Sequence, residues 1–413
     1  MSRPVSGSDP VHSTREAAAG IVAALRGAGH EAYFAGGCVR DELLGLTPQE
    51  FDVATSASAP EIAAVFRGAR GVGAAFGVML VRLHGHTIEV ASFRAEGPYT
   101  DSRRPDSIRQ ATLAEDARRR DFTINGLYMD PQSGDIVDHV NGQADLAARI
   151  LRAIGDPDAR LGEDHLRSLR AVRFTARFAL ELDGATAAAI RRHATELRGV
   201  SRERVGAELR LMLPEPNRAV AAGLVEQLGL DAACFDQPHS EGELPRLRAL
   251  HPAASFEAAL AAWWLDRAER GGTESSPQPW ESALMLSRSE SVGLLSATAL
   301  VASLRSGWKQ WPLARRRRMA MVDTFQVALQ IASGEGNPAA AEMAAEFRRF
   351  QELGLRPVPL LSGDDLKSMG FTPGPDFKRI LDAVYDAQLE GVLVNSEQAR
   401  EMGARLARPG STS

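Results

Sequence analysis

Residues 34–43 read FAGGCVRDEL, and residues 50–52, a short distance downstream, read EFD. In the first segment, a run typical of a β-strand leads into two glycines and then into a helical pattern that opens with an arginine and an aspartate. Backbone amides and a guanidinium should therefore converge where a phosphate chain could lie. In an extended segment alternate side chains share a face, so Glu50 and Asp52 should lie side by side while Phe51 enters the core. Adjacent carboxylates repel each other, and a divalent cation between them is the usual reason for tolerating that repulsion.

The two motifs are more specific together than apart. Taken alone, the glycines are consistent with a tight turn and the acidic pair with a solvated strand end. In this order, GGCVRDELLG followed by EFDVAT resembles the pattern GGxVRDxLLG followed by DxDxxT. That pattern belongs to the class II CCA-adding tRNA nucleotidyltransferases and the related bacterial poly(A) polymerases, within the polymerase beta-like nucleotidyltransferase superfamily. The chain departs from it at Glu50, where the family usually has Asp, so a metal site must accommodate one more methylene.

Further segments carry the same resemblance. Residues 118–127, RRRDFTINGL, are similar to the family's RRDFTINAL, and residues 163–173, EDHLRSLRAVR, are similar to EDxxRxxRxxR. Residues 201–209, SRERVGAEL, resemble SxERVxxEL, and residues 361–375 resemble the C-terminal LxGxDL...G..PGP pattern. The resemblance reaches from about residue 30 to about residue 390 and is weakest between about 220 and 355.

The resemblance implies a role for each matching residue. Glu50 and Asp52 would be the catalytic residues and would bind the metal, which is expected to be Mg²⁺. Asp164 and Arg167 would read the base, while Arg120 would contact the incoming nucleotide. The residues that the resemblance places around the nucleotide are Gly36, Gly37, Arg40, Arg120, Asp121, Asn125, Asp164, Arg167, Arg170 and Arg173.

The segment 163–178 predicts a helix without reference to the family. An aspartate and three arginines recur every three residues from Asp164 to Arg173, beside an apolar stripe. The alternative interpretation is an exposed face held by the i,i+4 pair Glu163 and Arg167. A carboxylate beside a guanidinium can read the Watson–Crick edge of a base, so side chains would replace a nucleic-acid template.

Length and composition predict a multidomain cytoplasmic enzyme. A chain of 413 residues is too long for one ordinary core, so two to four domains are expected. The two cysteines, Cys38 and Cys234, suit a reducing cytosol. We find no apolar run long enough to span a bilayer, no sign of an obligatory protein partner, and a leader without an apolar core at the N-terminus. The net charge of −5 requires any RNA-binding positive charge to be concentrated locally.

The predicted fold class is an α/β head with a mixed sheet, followed by an all-α neck, body and tail. Capping boxes at Ser13 and Ser58 open two helices. Residues 76–83 and 87–93 alternate as one hairpin, and residues 123–129 with 136–140 form another. The predicted parts are a disordered leader (1–14), the head (15–158), a neck with the base-reading helix (159–218), a body (219–355) and a tRNA-binding tail (356–413).

Several features leave two interpretations open. Glu89 is either a third acid facing the metals or a solvated side chain. Residues 99–109 are either a flexible loop that serves the switch from C to A addition or an ordinary surface loop. Trp308 and Trp311 either accompany an RNA-binding cluster of Arg315, Arg316, Arg317 and Arg318 or lie in the core of a solvated helix.

The resemblance implies a template-independent enzyme that adds C and A from CTP and ATP to the 3′ end of tRNA and releases pyrophosphate. Residues 71–77 lack the basic pair of poly(A) polymerases, which favours the tRNA enzyme. The alternatives are a poly(A) polymerase, an enzyme that adds only CC or only the terminal A, and an RNA-binding relative without catalysis.

Overall fold

A computed structural model describes residues 13–72, 77–97, 107–272, 276–305 and 307–407. The chain divides into two compact units, one formed by Met1–Met212 with Gly223–His239 and the other by Leu213–Ala222 with Ser240–Ser413. The first unit holds the strands, and the described part of the second is helical. The predicted fold class is therefore confirmed, while the finer division into neck, body and tail stays a prediction. Most of the predicted leader, residue 98, residues 99–106 of the predicted loop and residues 73–76 lie outside the described residues.

The centre of the first unit is a mixed seven-stranded sheet in the order β3-β4-β5-β2-β1-β8-β9. Its inner pairs are β1 with β2, antiparallel, and β2 with β5, parallel. Two shorter pairs, β6 with β7 and β10 with β11, lie outside this sheet. The strands are β1 (Ala32–Ala35), β2 (Asp52–Thr55), β3 (Arg70–Gly71), β4 (Val78–Leu83), β5 (His86–Ser92), β6 (Arg94–Glu96), β7 (Ile108–Gln110), β8 (Leu127–Met129), β9 (Ile136–Asp138), β10 (Ile150–Leu151) and β11 (Glu181–Leu182).

Local sequence signals explain the helices that support this sheet. Ser13 and Glu16 form the predicted capping box, and Ser58 and Glu61 form the second. The first helix buries one apolar face, which includes Ile21, against the sheet. The helices up to residue 235 are α1 (Thr14–Gly27), α2 (Gly37–Leu43), α3 (Ala59–Val65), α4 (Leu113–Arg118), α5 (Gly142–Ala147), α6 (Pro157–Glu163), α7 (Arg167–Phe178), α8 (Gly184–His193), α9 (Arg202–Met212), α10 (Arg218–Gln227) and α11 (Asp231–Phe235).

The two predicted hairpins have different outcomes. The first is confirmed, because β4 and β5 pair antiparallel along their whole length. The second is only partly right: β8 pairs with β9, but Thr123–Asn125 forms a 3₁₀ turn instead of extending the strand. The Thr123 hydroxyl donates to the buried carboxylate of Asp145 at 2.7 Å, and the Asn125 amide donates to Asp121 at 3.0 Å. These side-chain bonds favour a turn over a β-ladder.

The predicted helix over 163–178 is also corrected, because it is two helices with a break. α6 ends at Glu163, and Asp164 has an extended backbone with φ −155° and ψ 104°. Its carboxylate accepts a hydrogen bond from the Leu166 amide at 3.1 Å, and its carbonyl accepts from the Arg167 amide at 3.0 Å. An aspartate that bonds to the backbone two residues ahead competes with a continuous helix. Asp164 therefore precedes α7 and does not share a helical face with Arg167.

The second unit is organised around buried aromatic side chains. Trp263 and Trp280 meet edge to face with ring centroids 6.1 Å apart, and Trp308 packs on Phe325 at 5.5 Å. None of the helices formed by described residues is long and apolar enough to cross a membrane. The remaining helices are α12 (Pro245–Ala249), α13 (Phe256–Glu269), α14 (Pro279–Ala283), α15 (Arg288–Arg305), α16 (Leu313–Ala320), α17 (Phe325–Gly334), α18 (Ala340–Glu352), α19 (Gly363–Ser368), α20 (Pro375–Leu389) and α21 (Ser396–Ala407).

Candidate active site

The glycine turn between β1 and α2 forms one wall of the site. Gly36 has φ 71°, in the left-handed region that favours glycine, and its amide donates to the carbonyl of Leu127 at 3.0 Å. A Cβ atom at this position would lie 2.8 Å from the Arg120 guanidinium. The turn therefore needs glycine both for its backbone conformation and for the close approach of an arginine.

The acidic pair lies next to this turn. Asp52 is the first residue of β2 and pairs with Ala35, the last residue of β1, while Glu50 lies just before the strand. Phe51 is buried as predicted, and its ring centroid is 5.2 Å from that of Phe34. The alternation of the segment thus directs both carboxylates to the same pocket.

Asp52 is in an environment that opposes its negative charge. Part of its side chain is open to the pocket, but the pKa of the carboxyl group is raised from 3.8 to about 6, chiefly because the surrounding protein reduces its solvation. The negative charges of Glu89 and Glu50 contribute to this rise, and Arg120 opposes it. Glu89 is exposed on β5 and acts on Asp52 through its charge. A cation bound between these acids would relieve the repulsion, so Glu50 and Asp52 are a chemically suitable site for a divalent metal.

The pocket beside the acids has a volume of about 820 Å³, within the range of small-molecule sites. All twelve residues predicted as catalytic or nucleotide-binding line it, so the structure brings them together. Among the residues that the structure describes, nine arginines and five carboxylates line the pocket, an excess of positive charge that suits a triphosphate. The lining residues are Gly36, Gly37, Arg40, Glu50, Asp52, Arg94, Glu96, Arg119, Arg120, Asp121, Asn125, Asp164, Arg167, Arg170, Arg173, Phe174, Arg177 and Arg204.

Arg120 is held by a buried acid and a phenol that the sequence analysis did not identify. Its guanidinium pairs with Asp116 at 3.1 Å and donates to the Tyr128 hydroxyl at 3.2 Å. The Tyr128 hydroxyl also donates to Asp116, at 2.5 Å. Although burial disfavours the charge on Arg120, these partners outweigh it and raise the pKa of the guanidinium. Arg120 is therefore charged and fixed beside the glycine turn before any ligand binds.

A chain of hydrogen bonds connects Arg40 with Arg170 through two polar side chains. Arg40 donates to Asn125 at 2.6 Å, Asn125 donates to Asp121 at 3.0 Å, and Asp121 accepts from Arg170 at 2.7 and 2.9 Å. Burial works to raise the pKa of Asp121, but Arg170 and Asn125 outweigh it and lower that pKa to about 2. Arg40 also lies over the ring of Phe178, at 4.3 Å. These contacts fix the side chains of this wall of the pocket and place the Asp121 carboxylate between the guanidinium groups of Arg40 and Arg170.

The opposite wall comes from the α6–α7 link and from α9. Asp164 accepts from Arg204 of α9 at 2.6 Å, and Arg167 donates to the carbonyl of Arg160 at 2.7 Å and pairs with Glu163. The alternative interpretation expected an i,i+4 ion pair between Glu163 and Arg167, and this pair is present. Arg167 nevertheless also lines the pocket. Both proposed base-reading side chains are therefore held in place by partners, one of which, Arg204, also lines the pocket.

Arg173 is fixed in a similar way. It pairs with Glu208 of α9 at 2.7 Å, and both side chains are buried. Arg170 lies 3.9 Å from the same carboxylate. The negative charge of Glu208 thus reduces the repulsion between Arg170 and Arg173, so both arginines of α7 can lie in one wall of the pocket.

Sequence reasoning missed six residues of the pocket. Arg204 lies inside the quoted segment SRERVGAEL, and Arg119 lies inside the arginine triplet, so the motifs contained a signal for both. Arg94 and Glu96 are alternate residues of β6 that pair with each other at 3.0 Å, and neither belongs to a motif that the sequence analysis used. Phe174 and Arg177 lie on α7. Phe174 belongs to the buried apolar stripe of this helix as predicted, and it contributes to the pocket lining as well.

Replacing Asp52 with asparagine should stabilise the metal-free protein. Since the pKa of Asp52 is higher in the folded state, the native protein binds more protons between pH 3.8 and about 6, and wild-type stability falls as pH rises through this range. The asparagine side chain carries no charge, so the variant should melt roughly 2–4 °C higher at pH 8 in chelator, if water in the pocket screens the repulsion to about 1 kcal/mol. Thermal melting between pH 5 and 8 measures this.

The matched control is Asp135→Asn, which removes a charge from the exposed turn before β9. Its melting temperature should differ from wild type by the same amount at every pH. A gap between wild type and Asp52→Asn that does not grow with pH would contradict the charge repulsion at Asp52.

The predicted RNA-binding arginines lie in the second unit and are mostly engaged there. Arg316 pairs with Glu346 at 2.6 Å, Arg318 pairs with Asp386, and Arg317 donates to the carbonyl of Leu389 at 3.4 Å. Arg315 is exposed and stacks over Trp311 at 4.1 Å, with no carboxylate partner among the residues that the structure describes. Trp308 and Trp311 are both buried, which agrees with the core interpretation of these rings.

Comparisons with known proteins agree with this geometry. Residues 32–152 match the model of the Poly A polymerase head domain, and residues 179–237 match that of the probable RNA and SrmB-binding site of polymerase A. The CCA-adding enzyme of Latilactobacillus sakei is 34% identical and aligns with 86% of this chain and 89% of its own length. The CCA-adding enzyme of Levilactobacillus brevis is 33% identical, with coverage of 93% and 96%.

A solved relative shows the same fold. The crystal structure of the Bacillus stearothermophilus CCA-adding enzyme in complex with CTP aligns with a TM-score of 0.78 at 26% identity. The alignment covers 95% of this chain and 98% of that one. The likeness thus includes both units and the whole pocket sequence. The chain therefore belongs to the family of the CCA-adding enzymes, and it is a nucleotidyltransferase.

Proposed function

We propose that this chain adds C, C and A in turn to the 3′ end of a tRNA, using CTP and ATP and releasing pyrophosphate. The observation that carries this proposal is a single arginine-rich pocket that contains the acids Glu50 and Asp52 together with a carboxylate–guanidinium pair, Asp164 and Arg167. The pocket provides for phosphate, for a reacting hydroxyl and for a base. No nucleic-acid template is needed.

The chemistry is an in-line displacement at the α-phosphate of the nucleotide. The 3′-hydroxyl oxygen of the tRNA forms a new bond to phosphorus, the bond to the β-phosphate oxygen breaks, and pyrophosphate leaves. The amide of Gly37 and the guanidinium of Arg120 hold the triphosphate, because they are fixed donors at the same pocket wall, while Gly36, whose amide donates to Leu127, provides the turn. Their positions are set before substrate binds, so little reorganisation is required during the reaction.

Glu50 and Asp52 are the proposed ligands of the divalent metal that this family uses, and Mg²⁺ fits their hard oxygen donors. When bound, such ions lower the pKa of the attacking hydroxyl and neutralise charge on the leaving oxygens. The fit rests on the two carboxylates that line one pocket, with Glu89 close enough to Asp52 for its charge to act there, an arrangement that favours a nearby cation. The longer side chain of Glu50 is accommodated because this residue lies before the strand, where the backbone is not restrained by the sheet.

The arginines of α7 support the proposed roles in nucleotide binding. Arg170, clamped by Asp121, and Arg173, clamped by Glu208, present positive charge at fixed positions. Arg40 donates to Asp41 and Asn125, so we propose that it supports the nucleotide pocket from within the wall while remaining close enough to interact with phosphate. Asp121 and Asn125 are proposed to fix the ribose side through the same chain of hydrogen bonds.

The experiment that tests the function uses purified protein with tRNA lacking its last one, two or three nucleotides, and with each nucleoside triphosphate singly. Addition of C to the two shorter substrates and of A only after CC would support the proposal. Long A tails from ATP alone would favour a poly(A) polymerase, and addition of only CC or only A would identify a partial enzyme. Binding of tRNA without any addition would support the non-catalytic alternative.

A further proposal concerns the contact with tRNA phosphates. Arg315→Ala should reduce the slope of log K against log salt by about 0.7–0.9, because its exposed guanidinium is available for one phosphate. Filter binding between about 50 and 200 mM salt measures this slope.

Arg318→Gln is the matched comparison, since Arg318 is already paired with Asp386. We expect it to lower the melting temperature of the second unit and to leave the salt slope nearly unchanged. A slope that is unchanged in Arg315→Ala would mean that the RNA lies on another surface.

The compartment that we propose is the cytoplasm. Both cysteines are buried, and Cys38 lies beside the acidic pair, where oxidation would disturb the site. The proposed substrates are tRNA, CTP and ATP.

A further inference from the structure

Two histidines and a glutamate meet on the first unit, away from the acidic pair. His165 lies in the link between α6 and α7, His193 is the last residue of α8, and Glu196 follows in a 3₁₀ turn. The Glu196 carboxylate lies 2.6 Å from Nδ1 of His193 and 3.3 Å from Nδ1 of His165. The three ligand atoms all lie within 4.8 Å of one another.

The Nδ1 atoms of His165 and His193 differ in their hydrogen bonding. Nδ1 of His165 is buried, and its 3.3 Å contact with Glu196 does not have the geometry of a hydrogen bond. A buried ring nitrogen that lacks a hydrogen bond is uncommon and needs an explanation. The His165 and His193 rings are nearly parallel, with centroids 6.3 Å apart, so both Nδ1 atoms face the same carboxylate.

An outer carboxylate supports His193 from behind. The Nε2 atom of His193 lies 3.0 Å from the carboxylate of Asp158, which itself pairs with Arg192 at 2.6 Å. A histidine that donates Nε2–H to a carboxylate leaves the lone pair of Nδ1 for another partner. This carboxylate–histidine arrangement is the one that usually orients a metal-binding imidazole.

We propose that His165, His193 and Glu196 form a second metal site, distinct from the acidic pair, for a borderline transition-metal dication such as Zn²⁺. Two imidazoles and one carboxylate are a known donor set for Zn²⁺, with a fourth position left for water. Metal–ligand bonds of about 2.0–2.1 Å in a tetrahedron put neighbouring ligand atoms roughly 3.3–3.4 Å apart. The distance from His165 to Glu196 already has this value, the His193–Glu196 contact of 2.6 Å must open, and the two imidazole nitrogens start within 4.8 Å of each other.

The site joins segments that are distant in sequence. It connects the end of α8 to the three-residue link that also carries Asp164 of the nucleotide pocket. A bound ion would therefore restrain the link between α6 and α7, and it would do so without being part of the reaction. The inference does not depend on the proposed nucleotide-addition activity, since it concerns only metal binding.

The alternative is a protonated His193 bridging two carboxylates. Burial works to lower the pKa of His193, but Glu196 and Asp158 outweigh it and raise that pKa. A proton and a metal compete for the same Nδ1, so the two states can be separated by adding metal at pH 8. The protonated bridge would leave Nδ1 of His165 without a hydrogen bond, whereas a metal ion would be coordinated by Nδ1 of both histidines.

The test uses the full chain, stripped with chelator and then kept at pH 8 in excess Mg²⁺, which prefers the oxygen ligands of the acidic pair. Zn²⁺ is titrated against a chromophoric chelator, and Co²⁺ absorption in the visible reports the ligand geometry. We expect one Zn²⁺ per chain, a higher melting temperature with Zn²⁺, and a tetrahedral Co²⁺ spectrum. Asp158→Asn should weaken binding roughly 10–100-fold, as expected for loss of an outer carboxylate.

His165→Ala and His193→Ala should each remove the Zn²⁺ equivalent and the Co²⁺ spectrum. His239→Ala is the matched control, because this histidine of the same unit pairs with Asp231 outside the cluster and should leave binding unchanged. If a histidine variant does not fold, the wild-type Co²⁺ spectrum and the Zn²⁺ affinity of Asp158→Asn still decide between the metal site and the protonated bridge. Absence of a tight Zn²⁺ equivalent in wild type, or equal binding by His193→Ala, would overturn the proposal in favour of the proton bridge.

Discussion

Asp52→Asn is expected to abolish nucleotide addition, lowering kcat by at least about 10³-fold. Loss of several kcal/mol of charge stabilisation at a metal-dependent centre corresponds to this factor. Asparagine keeps the size of the side chain but cannot supply the anionic oxygens that hold a divalent ion. Single-turnover addition of C to a tRNA that lacks CCA, at saturating CTP and Mg²⁺, measures the loss.

The specificity of this effect can be checked with two neighbours. Binding of tRNA should stay within a fewfold in Asp52→Asn, because the phosphate contacts lie elsewhere. Glu50→Asp restores the residue usual in the family and should keep or raise the rate. Addition at a near wild-type rate in Asp52→Asn would show that the acidic pair is wrongly assigned.

Glu89→Gln separates an electrostatic role from a direct one. Glu89 is exposed and is not among the residues that line the pocket, yet its charge raises the pKa of Asp52. If it acts only through charge, the variant should retain addition within about tenfold and should lower the pKa of Asp52. A loss as deep as that of Asp52→Asn would make Glu89 a third metal ligand.

Short-range signals explain why much of the fold could be predicted from the sequence. The capping box at Ser13, the alternation of β4 and β5, and the apolar Phe51 between two acids each depend on neighbours within a few residues. Such patterns are set by local hydrogen bonds and by which face is buried. They predicted the α/β head and the helical remainder correctly.

Long-range side-chain bonds explain where the prediction failed. The strand expected at Thr123 is a turn because Asp145, more than twenty residues away, accepts its hydroxyl. The helix expected over 163–178 breaks because Asp164 bonds to the backbone ahead and is held from outside by Arg204. The partners of these residues are distant in sequence, so periodicity contains no information about them.

The site residues also divide into those that sequence motifs predicted and those that they did not. Motif residues such as Arg120 and Asn125 were found because they lie in one continuous segment. Their supports, Asp116 and Tyr128 for Arg120 and Glu208 for Arg173, were not singled out, although Asp116 lies four residues before Arg120 and Glu208 lies within the quoted segment SRERVGAEL. The resemblance identified the pocket, and the structure identified what fixes it.

The base-reading pair provides the second large expected effect. Asp164→Ala and Arg167→Ala should each weaken discrimination between CTP or ATP and the other nucleotides by roughly 1–3 kcal/mol, about 10- to 150-fold in the ratio of kcat/KM values. Both side chains line the pocket, and each removal takes away one hydrogen-bonding edge while leaving the acidic pair and the glycine turn intact. Competition between nucleotides in single-turnover addition measures the ratio.

The structural supports of the pair serve as controls. Arg204→Ala removes the partner of Asp164, and Glu163→Gln removes the carboxylate paired with Arg167, while both base-reading side chains remain. If Asp164 and Arg167 read the base, these variants should lose discrimination to a smaller extent, because the edge is present but less firmly oriented. Thermal melting of all four variants separates this from a loss of folding.

The decisive outcome is a selective loss of discrimination between nucleotides. Removal of a base-reading edge should change the rate of addition of incorrect nucleotides more than the overall rate of addition. The break between α6 and α7 makes the test sharper than a continuous helix would, since Asp164 and Arg167 are supported by different partners, Arg204 and Glu163. Substituting one residue therefore leaves the support of the other in place. If both alanine variants melt normally and lose all four nucleotides equally, the pair positions phosphate or tRNA, and the base must be read by another part of the pocket.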